Sequence, residues 1–413
     1  MSGVAIGRAG AMRSRVDWRK PAIFTGAMLA ALGLGIMLGV FVLPPGFWHH
    51  RNGLLPNLLA WDAGWYSTIA TQGYQWDALA GGNIGHYQDV AFFPLYPLIE
   101  RAAILLTGSR SIAVMILPGA LSGIASVPVF FRLARRLMPE SDAACATMLY
   151  ALYPAASFFI MGYPTGLMNL LVMLALLDIM DGRRWRAALW CGIGTAGGPL
   201  LVFLSFVLCV DQGVAWLRAR MPAREIPPLI GFGLLSVSGL LAYIAFQWIM
   251  LGHPLAFLSA QSAWGAAPKA SIRLGRLISP PWYYQNIGAY AAGAYHALAR
   301  LRITHSANYM IEIFLGKISV LLALAGVIAS FRIRPLVVPF SGLGVLLGYV
   351  WFIDTIQNAT SAMRLLYPVL PIFLGLALLL RPAPRLLRGL VMLLFAGLLV
   401  LQTGLVVAGY WVV

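Results

Sequence analysis

Charge is scarce in this chain. Only 10% of its 413 residues are Asp, Glu, Lys or Arg, and only 13 are acidic. Soluble domains carry about 25% charged residues, so there is too little charge here to cover a water-exposed globule. Cysteine is rarer still: Cys145, Cys191 and Cys209 each lie inside an apolar run. No paired spacing marks a disulfide framework or a zinc site, and the three read as small buried hydrophobes. Several signatures of soluble catalysis are also missing. There is no Gly-Lys-Ser/Thr phosphate loop, no His-Glu-x-x-His and no Gly-x-Ser-x-Gly. Together these absences exclude soluble enzymes, disordered chains and disulfide scaffolds.

What is present is hydrophobic length. Hydrophobic residues make up 60% of the chain, in runs punctuated by Lys and Arg, the pattern of a polytopic membrane protein. The net charge of +16 does not point to nucleic acid, because the bases do not sit on a soluble body. The first run, 22–43, follows five bases between Arg8 and Lys20. It exceeds a signal-peptide core and reads as an anchor. Further runs lie at 111–131, 143–162, 165–181, 186–216, 228–250, 310–331, 335–353, 363–380 and 388–409. The run 186–216 is too long for one span and holds Gly192, Gly194, Gly197, Gly198 and Pro199 in its middle, where they break a helix. Read as a hairpin of two helices, it puts 19 Lys/Arg inside and nine outside; read as one crossing, it gives 17 against 11. The positive-inside rule selects the hairpin. Broken backbone at that depth is tolerated when buried or lining a cavity, so the glycines are expected to face an internal space.

The expected fold is therefore an all-α polytopic membrane protein, one transmembrane domain over 1–413 with about eleven spanning helices. Its N-terminus is cytoplasmic and its C-terminus outside. Two outer segments, 44–110 and 251–309, are long and hold all six histidines, so they are where function is expected.

In the first outer segment, Trp61-Asp62-Ala63-Gly64-Trp65-Tyr66-Ser67-Thr68-Ile69-Ala70 reads as an amphipathic interfacial helix. Trp61, Trp65 and Ile69 share one stripe, and Asp62 and Tyr66 the next. By spacing alone Asp62 either faces water on an anchoring helix or does chemistry. The stretch 91–101, with Pro94 and Pro97, is a poor span and is placed at the interface. Asp89 is the other carboxylate between these elements. The second outer segment carries Gln261, Trp264, Lys269, Arg273 and Arg276, then Pro280-Pro281-Trp282-Tyr283-Tyr284. Such a patch either meets lipid phosphate or simply anchors. His49, His50 and His86, near Asp89, make a metal site conceivable, but adjacent histidines rarely ligate one ion, and no ligand set is assigned. Asp178 and Asp181 sit at a cytoplasmic helix end. Glu312 and Lys317 lie within a span, as a functional flag or a structural pair.

These residues resemble a family. Trp61-Asp62-Ala63-Gly64-Trp65-Tyr66, with Ile69-Ala70, Gly73-Tyr74 and Ala91-Phe92-Phe93-Pro94-Leu95-Tyr96-Pro97, resemble the opening of bacterial PIG-V-type proteins. Those are relatives of the second mannosyltransferase of GPI-anchor synthesis, within the GT-C glycosyltransferases. Weaker echoes follow in order: Pro154-Ala155-Ala156-Ser157-Phe158-Phe159, Gln261-x-x-Trp264-Gly265, and Arg364-Leu365-Leu366-Tyr367-Pro368 with Pro371. The chain departs from the pattern at Pro164-Thr165-Gly166, where a Thr-Glu-Ser run is usual, and at Gly198, where an arginine often precedes the proline. The resemblance implies a GT-C-like bundle, a polyprenyl-phosphate sugar donor, a lipid or glycan acceptor on the outer face of a bacterial inner membrane, and transfer with inversion. It implies Asp62 as general base, with Asp89 as the alternative or as the group that orients Asp62. Arg364, then Lys269 and Arg273, would hold the donor phosphate. Trp61, Trp65, Tyr66, Tyr96, Gln261, Trp264 and Tyr367 would line the cleft. No cofactor is required, though a divalent metal is compatible with this chemistry, and no nucleic acid is expected as partner. The competing readings are a lipid or sugar transporter using the broken helix at 197–199, and an inert relative serving as a partner subunit.

Overall fold

The computed structural model describes residues 18–47, 54–75, 89–260, 286–300, 303–352, 359 and 361–412. The regular elements among them are all helical, as long apolar runs require where only intra-segment hydrogen bonds can satisfy the backbone. After α1 (Arg19–Phe41) come three short helices, α2 (Leu54–Asn57), α3 (Asp62–Gln72) and α4 (Leu95–Thr107). The bundle continues with α5 (Ile112–Leu137), α6 (Glu140–Ala151), α7 (Thr165–Met180), α8 (Arg184–Thr195) and α9 (Leu200–Arg218). Next are α10 (Ile226–Ser236), α11 (Ser238–Leu251), α12 (Ala256–Ala260), α13 (Ile287–Ala299) and α14 (His305–Ser330). The last are α15 (Val337–Phe352), α16 (Ala362–Leu366), α17 (Pro371–Leu380) and α18 (Arg385–Val407).

Among the described residues, five helices are long and apolar enough to cross a membrane, or seven if each of two bent pairs is one crossing. The expected figure of about eleven counted shorter apolar helices of 10–17 residues as well. Three expected single spans are broken. The run 143–162 is α6 followed by a 3-10 helix, Pro154–Ile160, bent by 62°. The run 228–250 is α10 and α11, bent by 63°. The run 363–380 is α16 and α17, separated at Tyr367-Pro368. Proline explains the first break, where Tyr153 before Pro154 is extended at φ −60° and ψ 135°; at the third, Tyr367 keeps helical angles and Pro368 lacks the N–H that would continue the ladder.

Ion pairs gather at one end of the bundle. Lys20 pairs with Glu140, Arg136 with Asp181, Arg186 with Asp178, and Arg381 with Asp142. Arg184, at the start of α8, lies 3.9 Å from Glu225, just past α9. The α8–α9 pair therefore goes out and comes back to the same end, the hairpin the charge pattern favoured. At the far end its break meets α4: the Leu95 N–H donates to the Ala196 carbonyl at 2.9 Å. The glycines there mostly serve close packing. A Cβ on Gly197 would sit 2.6 Å from the Met168 sulfur, and Gly239 packs against the α8 backbone; only Gly198 faces open space.

A buried aromatic cluster ties the two halves of the chain. Phe130 stacks on Tyr150 at 4.6 Å, Phe159 on Tyr367 at 5.3 Å. The Tyr367 hydroxyl donates to the Tyr150 carbonyl at 2.7 Å. At the end away from the ion pairs Asn57 donates to the Val407 carbonyl and Asn308 to the Trp411 carbonyl, so α1 starts and α18 finishes at opposite ends.

Candidate functional site

Asp62 is the first residue of α3. Trp61 before it has φ 62° and ψ −130°, a region costly for a side chain, and this turn sets the direction of Asp62. The Asp62 N–H donates to the Tyr163 hydroxyl at 3.1 Å. That hydroxyl is delivered by the turn after the Pro154–Ile160 helix, which is spliced to the α2–α3 link by the Gly162 N–H donating to the Leu58 carbonyl at 3.1 Å.

The Asp62 carboxylate meets Arg364. Arg364 Nη1 lies 2.7 Å from Asp62 Oδ2, with side chains 12% and 22% exposed respectively. Asp62 is thus partly enclosed and paired, and the anchoring-helix reading, with its carboxylate simply in water, does not hold. Arg364 stands in the short helix α16. Its guanidinium lies over the Tyr163 ring at 4.7 Å and the Phe158 ring at 5.5 Å. Its Nε is buried with no hydrogen-bond partner among the described residues. Aromatic faces hold the cation in place without using its donors.

Tyr66, one turn after Asp62, packs edge-on against Phe92, Tyr96 and Tyr163. Burial, then Asp62, hold its phenol well above the ordinary value, Arg364 pulls it back, and Glu100 pushes it up further. Trp65 stacks on Phe92 at 5.6 Å. The Trp-Asp-Ala-Gly-Trp-Tyr and Phe-Phe-Pro-Leu-Tyr segments thus face one another, and both stripes of α3 are in contact with protein.

Asp89 stands apart from this pair. It is buried and accepts the Gln75 N–H at 2.6 Å. Burial pushes its carboxyl up, and the backbone N–H groups of Gln75, Val90 and Asp89 pull it back. These contacts fasten the outer segment beside Tyr74 and Tyr243. Tyr243 donates to the Val90 carbonyl at 2.7 Å. Tyr96 and Tyr367, expected at the cleft, are fully buried and support its walls from behind. Gln261, Trp264, Lys269 and Arg273 lie outside the described residues, as do His49, His50 and His86. Among the described residues no three His, Cys, Asp or Glu side chains gather.

Three contributors were not picked out from sequence: Tyr163, Phe158 and Glu100. Phe158 belongs to the Pro154–Phe159 echo, and Tyr163 immediately precedes the Pro164-Thr165-Gly166 departure. Glu100 sits one turn after Tyr96 on the buried face of α4, and that i, i+4 spacing was its only signal.

Comparison with known proteins places this geometry in a family. A family model described as mannosyltransferase (PIG-V) matches residues 44–253. The chain is 30% identical over 213 residues to GPI alpha-1,6-mannosyltransferase 2 of mouse, covering 48% of this chain and 41% of that protein. The rat protein of the same name is 30% identical over 171 residues, covering 38% and 32%. The matched segment therefore spans well under half of either relative. Among solved structures, the archaeal oligosaccharyltransferase AglB from Archaeoglobus fulgidus, in complex with an inhibitory peptide and a dolichol-phosphate, aligns over 96% of this chain and 57% of that one, with 14% identity and a TM-score of 0.45. The matched family region holds Asp62, Tyr66, Tyr163 and the α8–α9 break, and it covers half of the chain: the protein belongs to the mannosyltransferase (PIG-V) family.

Proposed function

We propose that the protein transfers a hexose, by its family mannose, from a polyprenyl-phosphate donor to an acceptor hydroxyl on the outer face of the membrane, inverting the anomeric carbon. The observation that carries this reading is the Asp62–Arg364 pair at 2.7 Å. It joins a partly exposed carboxylate to a guanidinium that rests on the Tyr163 and Phe158 rings. The reaction needs those two groups. Asp62 takes the proton from the acceptor hydroxyl. The freed oxygen attacks C1 of the sugar from the face opposite the leaving group. The C1–O bond to phosphate breaks, and its electron pair goes to the phosphate oxygen, where Arg364 offsets the developing charge. Before transfer the donor phosphate competes for the guanidinium and so releases Asp62 to act as base. Lys269 and Arg273 are the further cations assigned to the phosphate. The phosphate leaves without metal assistance in this scheme.

The names of the rodent relatives specify an alpha-1,6 linkage and GPI. For this chain we keep the sugar class and leave the acceptor as a lipid or glycan hydroxyl. The test uses purified protein in lipid nanodiscs with polyprenyl-phosphate mannose and a panel of hydroxyl acceptors, following polyprenyl-phosphate release and the anomeric configuration of the product. Asp62→Asn is expected to lower the rate by about 100–10,000-fold. A rate within a factor of two of the parent, or retention of configuration, would refute the mechanism.

A further inference from the structure

One charged group beside the site has no place in that scheme. Glu100 is fully buried, and both of its carboxyl oxygens lack a hydrogen-bond partner among the described residues. Native structures seldom leave such a group unsatisfied, and where they do the group calls for an explanation. Its location supplies one. A Cβ on Gly162 would lie 3.3 Å from the Ala63 Cβ and 3.5 Å from Glu100 Oε1. The carboxyl is therefore packed behind the first turn of α3, the turn that presents Asp62. Tyr66 packs edge-on against Tyr96, one turn before Glu100, and against Tyr163, whose ring carries Arg364, so its ring touches both the Glu100 side and the ion pair's support.

Among the described residues, the groups around Glu100 offer it no cation. On its own helix Tyr96 is neutral and Arg101 is exposed. From α3 come Asp62 and Tyr66. The turn before α7 adds Tyr163. The outer half of α5, which packs on α4, carries no titratable residue between Ile112 and Phe131. Among the described residues the cation of the site is Arg364, and it is already committed to Asp62. An ionised Glu100 would be a second negative charge, set behind the turn that presents Asp62. Burial alone, with no compensating partner, pushes its carboxyl up to about 9.

We infer that Glu100 is a positioning residue of the transfer site that works in its protonated form, leaving the charge of Arg364 undivided between Asp62 and the donor phosphate. The inference rests on the transferase reading for its kinetic consequence, but the protonation state can be read without turnover. Deprotonating Glu100 adds a negative charge behind α3, weakens the hold of Arg364 on phosphate and lowers donor affinity.

The experiment compares the parent with Glu100→Gln, which keeps the shape and removes the ionisation. The first readout is infrared difference spectroscopy of the full-length protein between about pH 7 and pH 10. The parent is expected to lose a protonated-carboxyl C=O band that the variant lacks; a parent without that band at neutral pH overturns the inference whether or not transfer is ever detected. The second readout is donor KM and kcat against pH. The parent's donor KM is expected to rise at least 10-fold across the alkaline range, whereas the variant's stays within 2-fold, with its neutral-pH kcat within 3-fold of the parent. An identical alkaline rise in both proteins, or a folded variant that is inactive at neutral pH, overturns it. Should neither protein transfer mannose, binding of polyprenyl phosphate against pH takes the place of KM, with the same expected contrast.

Discussion

Removing the two charges singly and together tests whether Asp62 and Arg364 act as a unit. At 2.7 Å, two unit charges attract by about 6 kcal/mol at an effective dielectric of about 20. Taking both partly out of water cancels the greater part of that attraction, which leaves a coupling of about 1–3 kcal/mol. The single variants should not be equivalent. Asp62→Asn leaves Arg364 resting on the Tyr163 and Phe158 rings, each contact worth about 0.5–2 kcal/mol. Arg364→Met removes those contacts as well as the pair, so it is expected to be the more destabilising. The assay is unfolding in mixed micelles by titration with a denaturing detergent, on the parent, both single variants and the double variant. The double variant should be less destabilised than the sum of the singles by the coupling. Effects that add to within about 0.5 kcal/mol would mean that the two groups are independent, and the ion pair would then carry no weight as the core of the site.

Further outcomes follow from single contacts. Tyr163→Phe keeps the ring under Arg364 but removes the acceptor of the Asp62 N–H, so it should cost about 1 kcal/mol of stability and slow transfer several-fold; unchanged kinetics would separate Tyr163 from the site. Gly375→Ala drives a methyl into the Gly326 carbonyl, while Gly389→Ala meets nothing within 4 Å. The first is expected to lose at least about 1–3 kcal/mol and the second to melt like the parent, as thermal denaturation in detergent would record. The buried acid of Glu100 makes stability depend on pH. Its folded-state value, about 9 against a reference of 4.5, means that the folded chain holds a proton the unfolded chain releases, so this stabilisation is complete below about 4.5 and is lost as the pH rises through about 9. Glu100→Gln should therefore melt higher than the parent at neutral and alkaline pH, with the gap closing near pH 4.5; a constant gap would contradict the burial. Arg220→Cys, in a background without the native cysteines, should resist an impermeant thiol reagent added from outside, and ready labelling there would reverse the proposed orientation.

The apolar runs announced the long helices well because lipid imposes one rule on them: every backbone group must be satisfied within the segment. Runs 22–43 and 388–409 became α1 and α18 nearly as read. The breaks were harder to see. Pro154 and Pro368 stand at the ends of apolar stretches whose hydropathy does not change, so a run-length reading passes over them. Val237 carries no breaker at all, and the bend there is set by packing: α8 comes so close at Gly192 that a Cβ would strike the backbone and Ser238 of the α10–α11 junction. Asp62 was legible because its surroundings resemble a family motif. Its partner was legible only as a basic residue in a later motif, because nothing in local spacing says that positions 62 and 364 meet. Glu100 was passed over because an acidic residue ending an apolar stretch reads as a solvated helix end, and only the packing of α4 against α3 and α5 encloses it.

Each member of the ion pair stands in a helix that follows a residue at positive φ, and this bears on why the site sits at the starts of short helices. Asp62 follows Trp61 at φ 62°, and the helix carrying Arg364 follows Ser361 at φ 61°. Neither residue is glycine, so each conformation costs of order 1–3 kcal/mol. A long helix would place its first-turn residues along its own axis and commit them to the bundle. A short helix launched from a left-handed residue can turn its first-turn side chains across the bundle end, where α3 and α16 bring opposite charges together. The attraction between those charges is of the same order as the backbone cost, so the pair and the two strained turns hold each other in place. A ligand anion that draws Arg364 away from Asp62 loosens both at once. The arrangement therefore gives an anion leverage over the backbone that positions Asp62, the base in the proposed mechanism, which a pair built on two regular helices would not.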